Sequence, residues 1–185
     1  TSKQQFAIEF ECEFLGSVDT LISAAKLKAM VYENPVEQNG KLSIYEKPYK
    51  DRDYIVTVDV ARGISKDYSA FVVADITEFP YKIVATYRDN EVKPMLFPSI
   101  IEEVATAYNK AYVLCEVNDI GDQVASILFY DLEYENLLMV AMRGRAGQIV
   151  GSGFSGVKTQ LGVKMSTTTK KVGCSNLKTL VEEDK

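Results

Sequence analysis

No histidine occurs anywhere in the 185 residues. Its absence removes Ser-His-Asp and Cys-His catalysis, H-E-x-x-H metalloproteases, Cys/His zinc fingers and histidine-based nucleases. Hydrolytic chemistry, if present, must rest on carboxylates, hydroxyls, lysines or a metal held by oxygen ligands. Cysteine is scarce as well. Cys12, Cys115 and Cys174 are far apart, odd in number and form no C-x-x-C pair. That argues against a disulfide framework or a structural zinc site and suits a reducing compartment. Long apolar runs are missing too: Leu137 to Met142 and Ala70 to Ala74 are far too short to span a bilayer. No charged-then-apolar leader stands at the start, so the expectation is a soluble, intracellular protein without membrane contact.

What is present suits one domain of ordinary size with a flanking segment. A hydrophobic fraction of 46% supports a sizeable core, and 25% charged residues make a normal soluble surface. The net charge of −5 is unevenly spread. Residues 1–135 hold 13 Lys/Arg against 23 Asp/Glu, whereas residues 136–181 hold seven basic residues and no acid. An acidic body with one basic stretch can bind a polyanion locally, although a solvated loop and helix face accounts for the same composition.

Along the chain, residues 6–14 alternate, with Phe6, Ile8, Phe10, Cys12 and Phe14 on one face and Glu9, Glu11 and Glu13 on the other, as in a half-buried or edge strand. Ser23 can cap a short helix running to Val31. Asn34-Pro35, Asn39-Gly40 and Pro48 then punctuate an extended linker. Residues 1–50 therefore read as a strap, the tail of a preceding domain, with the domain proper over 51–185. Strands are expected at Tyr54–Val60, Ser69–Ile76 and Tyr81–Tyr87, closely enough spaced for antiparallel hairpins. A helix follows over Leu96–Asn109, with Ile100, Ile101, Val104, Ala105 and Tyr108 on one face. A strand at Ala111–Cys115, a helix at Ile120–Tyr130 capped by Asn118 or Asp119, and a strand at Leu137–Met142 come next. A glycine-rich loop and a helix over about Thr168–Glu183, burying Val172, Leu177, Leu180 and Val181, close the chain.

Three antiparallel strands followed by helix–strand–helix–strand is the layout of an α/β, ribonuclease H-like (retroviral integrase-like) fold, a mixed central sheet with flanking helices. In that layout the first strand is central and the fourth runs beside it in parallel, so Asp59 and Glu116 fall on neighbouring strand ends. An acid set among β-branched residues faces costly desolvation and needs a partner. Two carboxylates brought together raise each other's pKa unless a cation sits between them. Mg²⁺ suits such a site, with Mn²⁺ as a substitute, because it takes oxygen ligands and keeps several waters. Taken singly, Asp59 also reads as a turn cap and Glu116 as a solvated strand end.

Asp67, eight residues after Asp59 across a turn, reads first as a turn cap and second as a weaker metal-ligand candidate. Arg62 and Lys66 in that turn suit a phosphate or plain solvation. Gly151 to Thr159 resembles a phosphate loop but fails as one, because Val157 intervenes between Gly156 and Lys158. A mobile loop or hairpin rich in glycine is the better reading, with Arg143, Arg145 and Lys158 as a DNA guide. Lys164, and the run Thr167-Thr168-Thr169-Lys170-Lys171 at a helix start, suit a backbone phosphate or ordinary capping.

The stretches "YIVTVDVARG" around Asp59, "KDYSAFVVADIT" from Lys66, "LCEVNDIG" around Glu116 and "KKVGCSNLKTLVEEDK" at the end resemble the nuclease domain of the large terminase subunit of tailed bacteriophages, over residues from about 50 to 185. "EFECEFLGS" similarly resembles the segment leaving that family's ATPase domain. The resemblance implies a ribonuclease H-like, Mg²⁺-dependent endonuclease that cuts concatemeric phage DNA when packaging starts and when the head is full. It implies double-stranded DNA, the portal protein, the small terminase subunit and an ATPase domain of the same polypeptide as partners. The location implied is the host cytoplasm, transiently at the procapsid portal. By position, Asp59 and Glu116 match the first two catalytic acids. The third is expected downstream of the last helix beside a paired-Asp motif. No such motif is present and Glu182, Glu183 and Asp184 do not match it, so the sequence reads as lacking its C-terminal end. Two other readings stand beside this one: an actin-like or sugar-kinase ATPase fragment, for which the chain is short, and a non-catalytic module docking a portal or motor partner.

Overall fold

The computed structural model describes residues 20–31, 33–64, 66–141, 149–150 and 159–184. These fall in two compact units: residues 34–169, and Thr1–Glu33 with Lys170–Lys185. The expected strand over residues 6–14 and most of the glycine-rich loop lie outside the described residues.

In the larger unit, β1 (Glu37–Asn39), β2 (Leu42–Ile44), β3 (Tyr54–Asp59), β4 (Ser69–Asp75), β5 (Lys82–Asp89) and β6 (Tyr112–Cys115) form one six-stranded sheet in the order β1-β2-β5-β4-β3-β6. β3 to β5 pair antiparallel, as their close spacing requires, and β6 joins β3 in parallel. Residues 37–44, expected within an extended linker, instead carry a hairpin that adds to the β5 edge. Its two-residue loop is Gly40-Lys41, and Gly40 takes a φ of 59°, which glycine adopts without strain.

β3 shows why it is a strand. Tyr54, Val56 and Val58 are buried, while Ile55, Thr57 and Asp59 point to the other, more open face. The buried face packs beneath helix α2 (Phe97–Ala107), which buries Phe97, Pro98, Ile101, Val104 and Ala105. Phe71 on β4 stacks on Tyr87 of β5 at 5.0 Å between ring centroids, and Phe97 lies 6.1 Å from Phe71 and 5.7 Å from Tyr87. A crossover through α2 is what a parallel return to β6 needs.

Helix α3 (Gly121–Ser126) runs directly into a π-helical turn, Ile127–Asp131. The caps expected from Asn118 or Asp119 are not used: the N-cap is Ile120, with no side-chain cap bond. Leu137 makes a parallel bridge to Val113, and β7 (Met139–Ala141) belongs to a second, three-stranded sheet, between β8 (Ile149–Val150) and β9 (Thr159–Leu161).

In the smaller unit, α1 (Ala24–Ala29) is capped by Ser23 as expected, and Lys26 Nζ meets Asp184 Oδ1 at 2.6 Å. The last helix, α4 (Thr167–Glu182), has Lys170 onward in this unit. It buries none of its residues: Val172 and Leu177 are exposed, and Leu180 and Val181 are half-buried, contrary to the expected core face. The apolar positions there are too few, with a glycine, a serine and a lysine run among them, to make a continuous stripe.

Candidate metal centre and groove

Asp59 closes β3. The pairing Ile55 with Tyr112 through Val58 with Cys115 fixes the parallel register, and one step further sets Glu116 opposite Asp59 on the same face. The backbone confirms that step, since Glu116 N–H donates to the Val58 carbonyl at 2.9 Å. Asp59 is exposed and Glu116 half-buried. The expectation of a desolvated Asp59 is therefore corrected, because period-two alternation puts it on the open face. Among the described residues the buried carboxylate is Asp75, 3% exposed, at the far end of β4. Burial drives the Asp75 pKa up, but hydrogen bonds from Thr77 and from Arg52 Nη1 at 2.7 Å outweigh it and hold the carboxyl below its ordinary value.

The end of β6 is fixed with little freedom. Val163 N–H donates to the Cys115 carbonyl at 2.8 Å and Val117 N–H to the Val163 carbonyl at 2.9 Å, so the segment after β9 flanks Glu116 in parallel. Glycines permit this crowding on both sides. A Cβ on Gly162, whose φ is 81°, would lie 2.3 Å from the Cys115 carbonyl oxygen. A Cβ on Gly121 would lie 2.0 Å from that of Glu116. Asn118 completes the clamp with a backbone-like pair to Met165: its Nδ2 donates to the Met165 carbonyl at 3.0 Å, and its Oδ1 accepts from Met165 N–H at 2.8 Å. Behind Asp59, buried Ser69 accepts from Ala61 N–H at 3.0 Å and donates to the Ala61 carbonyl at 3.2 Å, pinning the chain as it leaves β3.

An open groove of about 430 Å³ lies at this end of the sheet, lined by Asp59, Val60, Ala61, Arg62, Ile64, Asp67, Tyr68 and Asp119. Asp67 thus shares the groove with Asp59, and Glu116 stands one strand over, outside that lining. Arg62, expected to meet a phosphate, is engaged by Asp119: Nε donates to Oδ2 and Nη2 to Oδ1, both at 2.7 Å. This bond holds the Asp119 carboxyl below its usual range and raises the Arg62 guanidinium. Sequence reasoning did not find Asp119 as a groove residue, since 57 residues separate it from Arg62. It also missed Arg88, whose guanidinium sits 3.7 Å over the ring of groove-lining Tyr68. Lys66 is exposed in the β3–β4 turn, and Lys164 is exposed immediately after Val163. Lys170 and Lys171 are exposed early in α4, where Ser166 accepts from Thr169 N–H at 3.1 Å. Arg143, Arg145 and Lys158 lie outside the described residues.

The donor set beside Asp59 is oxygen throughout. Among the described residues no group of three or more His, Cys, Asp or Glu gathers as a metal-holding cluster. A cation here would take two protein carboxylates and fill its other positions with water, which fits Mg²⁺ chemistry. Buried Cys115, its thiol pushed up to about 12 by desolvation, is unsuited to nucleophilic work. No described helix is long and apolar enough to cross a membrane.

The fold is shared with known proteins. A large terminase nuclease from thermophilic phage G20c, solved with bound cobalt, superposes with a TM-score of 0.65 at 20% identity, over 91% of this chain and 73% of that one. The same nuclease with bound magnesium gives the same values. Its zinc-bound form gives 0.61 at 24% identity, over 86% of this chain and 76% of that one. At these identities the likeness establishes the fold, which is ribonuclease H-like. The family model of the terminase RNaseH-like domain matches residues 56–185, so this chain belongs to the terminase RNaseH-like domain family.

Proposed function

We propose that this chain is the endonuclease domain of a phage DNA-packaging terminase, cutting concatemeric viral DNA when packaging begins and ends. The observation that carries this reading is the parallel β3–β6 pairing, which sets Glu116 beside Asp59, itself in the lining of an open groove. The metal-bound forms of the G20c nuclease support a divalent-cation requirement, for which we take Mg²⁺ with Mn²⁺ as substitute.

Asp59 and Glu116 would hold the cation, with Asp67 as a further, outer carboxylate. When bound, the cation supplies activation of water and stabilisation of the leaving phosphodiester oxygen. The chain's own residues do the rest. The carboxylates of Asp59, Asp67 and Asp119 repel a phosphate backbone, so approach by DNA requires compensating positive charge. In this reading Arg62, Lys66 and Lys164 supply that charge within the larger unit, and Arg143, Arg145, Lys158, Lys170 and Lys171 are further contacts to the DNA backbone. Contacts of this kind hold the duplex without reading its sequence. The partners in this reading are double-stranded DNA, the portal protein, the small terminase subunit and the motor ATPase domain, in the host cytoplasm and transiently at the procapsid portal.

Incubation of the protein with plasmid DNA and Mn²⁺ tests the assignment. In a domain that also carries the third acid, wild type is expected to nick and linearise the plasmid, and Asp59→Ala and Glu116→Ala to leave it intact while keeping the wild-type circular dichroism. Undiminished cutting by Asp59→Ala would refute the assignment. Retained portal binding by a wild-type chain that never cuts favours the docking role instead.

A further inference from the structure

The contact between Arg62 and Asp119 is not explained by stability. Both side chains are well exposed, at 65% and 59%, and an ion pair in water adds little to stability. Yet the pair is bidentate, and Asp119 holds it from a left-handed backbone, φ 53°, a conformation that non-glycine residues adopt at some cost. The other side of the pair is fixed as well. Gly63, next to Arg62, has a φ of 65°, and a Cβ there would lie 2.3 Å from the Val92 carbonyl oxygen. Each partner thus leaves a strand end that bears an acid, Arg62 after Asp59 and Asp119 after Glu116, and the two meet in the groove.

The geometry of the pair shows what it leaves available. Asp119 engages the Nε and Nη2 edge of the guanidinium. An arginine has a second two-pronged edge, formed by Nη1 and the other Nη2 proton, and a phosphate takes that edge well. We infer that Asp119 is a positioning residue: it holds Arg62 over the groove with its Nη1/Nη2 edge presented to a DNA phosphate beside Asp59. This rests on the nuclease reading. It deepens that reading by giving an acid in the groove the task of strengthening DNA binding rather than opposing it. A flexible arginine loses conformational freedom on gripping a phosphate, and a partner that fixes it beforehand removes part of that loss.

The test exploits the sign of the effect. Removing a carboxylate from a DNA-facing groove should tighten binding by simple electrostatics; if Asp119 positions Arg62, removing it should weaken binding. The full chain, in Ca²⁺ to prevent cleavage, is titrated with a short blunt DNA duplex across a range of salt. Arg62→Ala is expected to lose about tenfold in affinity, with a salt slope shallower by about one. Asp119→Ala is expected to weaken binding in the same direction, and the double variant to be no weaker than Arg62→Ala. Asp119→Asn, which still offers one acceptor oxygen, should fall between wild type and Asp119→Ala. If wild type binds duplex and Asp119→Ala binds it equally or more tightly, Asp119 is an idle neighbour or a latch, and the positioning role is wrong. If wild type binds no duplex, the nuclease reading itself fails and this role fails with it.

Discussion

Glu116 N–H donates to the Val58 carbonyl at 2.9 Å, one residue before Asp59, and this bond brings two acids 57 positions apart in the chain to one end of the sheet. The site depends on that pairing, and the packing behind it makes its disturbance measurable.

Gly121 is the first lever. A Cβ there would meet the Glu116 carbonyl oxygen at 2.0 Å, and backbone cannot step aside as a side chain can. Gly121→Ala is expected to lower stability by roughly 1–3 kcal/mol, the usual cost of overpacking, and to weaken metal binding along with it. Gly173 is the control. It lies inside α4 with open space around its Cα, so Gly173→Ala is expected to gain up to about 1 kcal/mol from helix propensity. Urea unfolding of both variants checks the contrast.

Phe97 is the second lever. It is fully buried and packs beside Phe71 and Tyr87 between helix α2 and the sheet. Phe97→Ala is expected to cost about 3–5 kcal/mol, seen as a lower urea midpoint with an unchanged slope.

Asp75 gives a pH signature. Its folded pKa lies below the ordinary 3.8, so the folded state favours its charged form. Its contribution is therefore complete above the unfolded value of about 3.9 and fades as pH falls through the folded value. Wild type should exceed Asp75→Asn in stability at neutral pH, with the gap closing only below that acidic point. A gap that persists unchanged in strong acid would contradict the pairing with Arg52 and Thr77 as its source.

Much of this was legible in the sequence where one short-range pattern governs. Alternation of Val56 and Val58 against Thr57 and Asp59 placed the acid at a strand end, and the order of elements gave β6 as the parallel partner. The same alternation already implied that Asp59 faces outward, against the argument from desolvation. The Asn39-Gly40 pair carried a hairpin signal that the surrounding polar residues obscured. Other features depend on partners distant in sequence: Ser69 on Ala61, Asn118 on Met165, Asp119 on Arg62, and the close approach of Gly121 and Gly162 to β6. Local propensity carries no information about these contacts. The apolar residues of α4 stay unburied because apolar content alone does not bury a helix, which needs a surface to pack against.

The central claim is that Asp59 and Glu116 together hold a divalent cation. Crystals of the protein soaked in Mn²⁺ and measured at the manganese absorption edge test it directly. The expected result is an anomalous peak between the two carboxylates that disappears in Asp59→Ala. No peak there under saturating Mn²⁺, or a peak that persists in that variant, would contradict the claim.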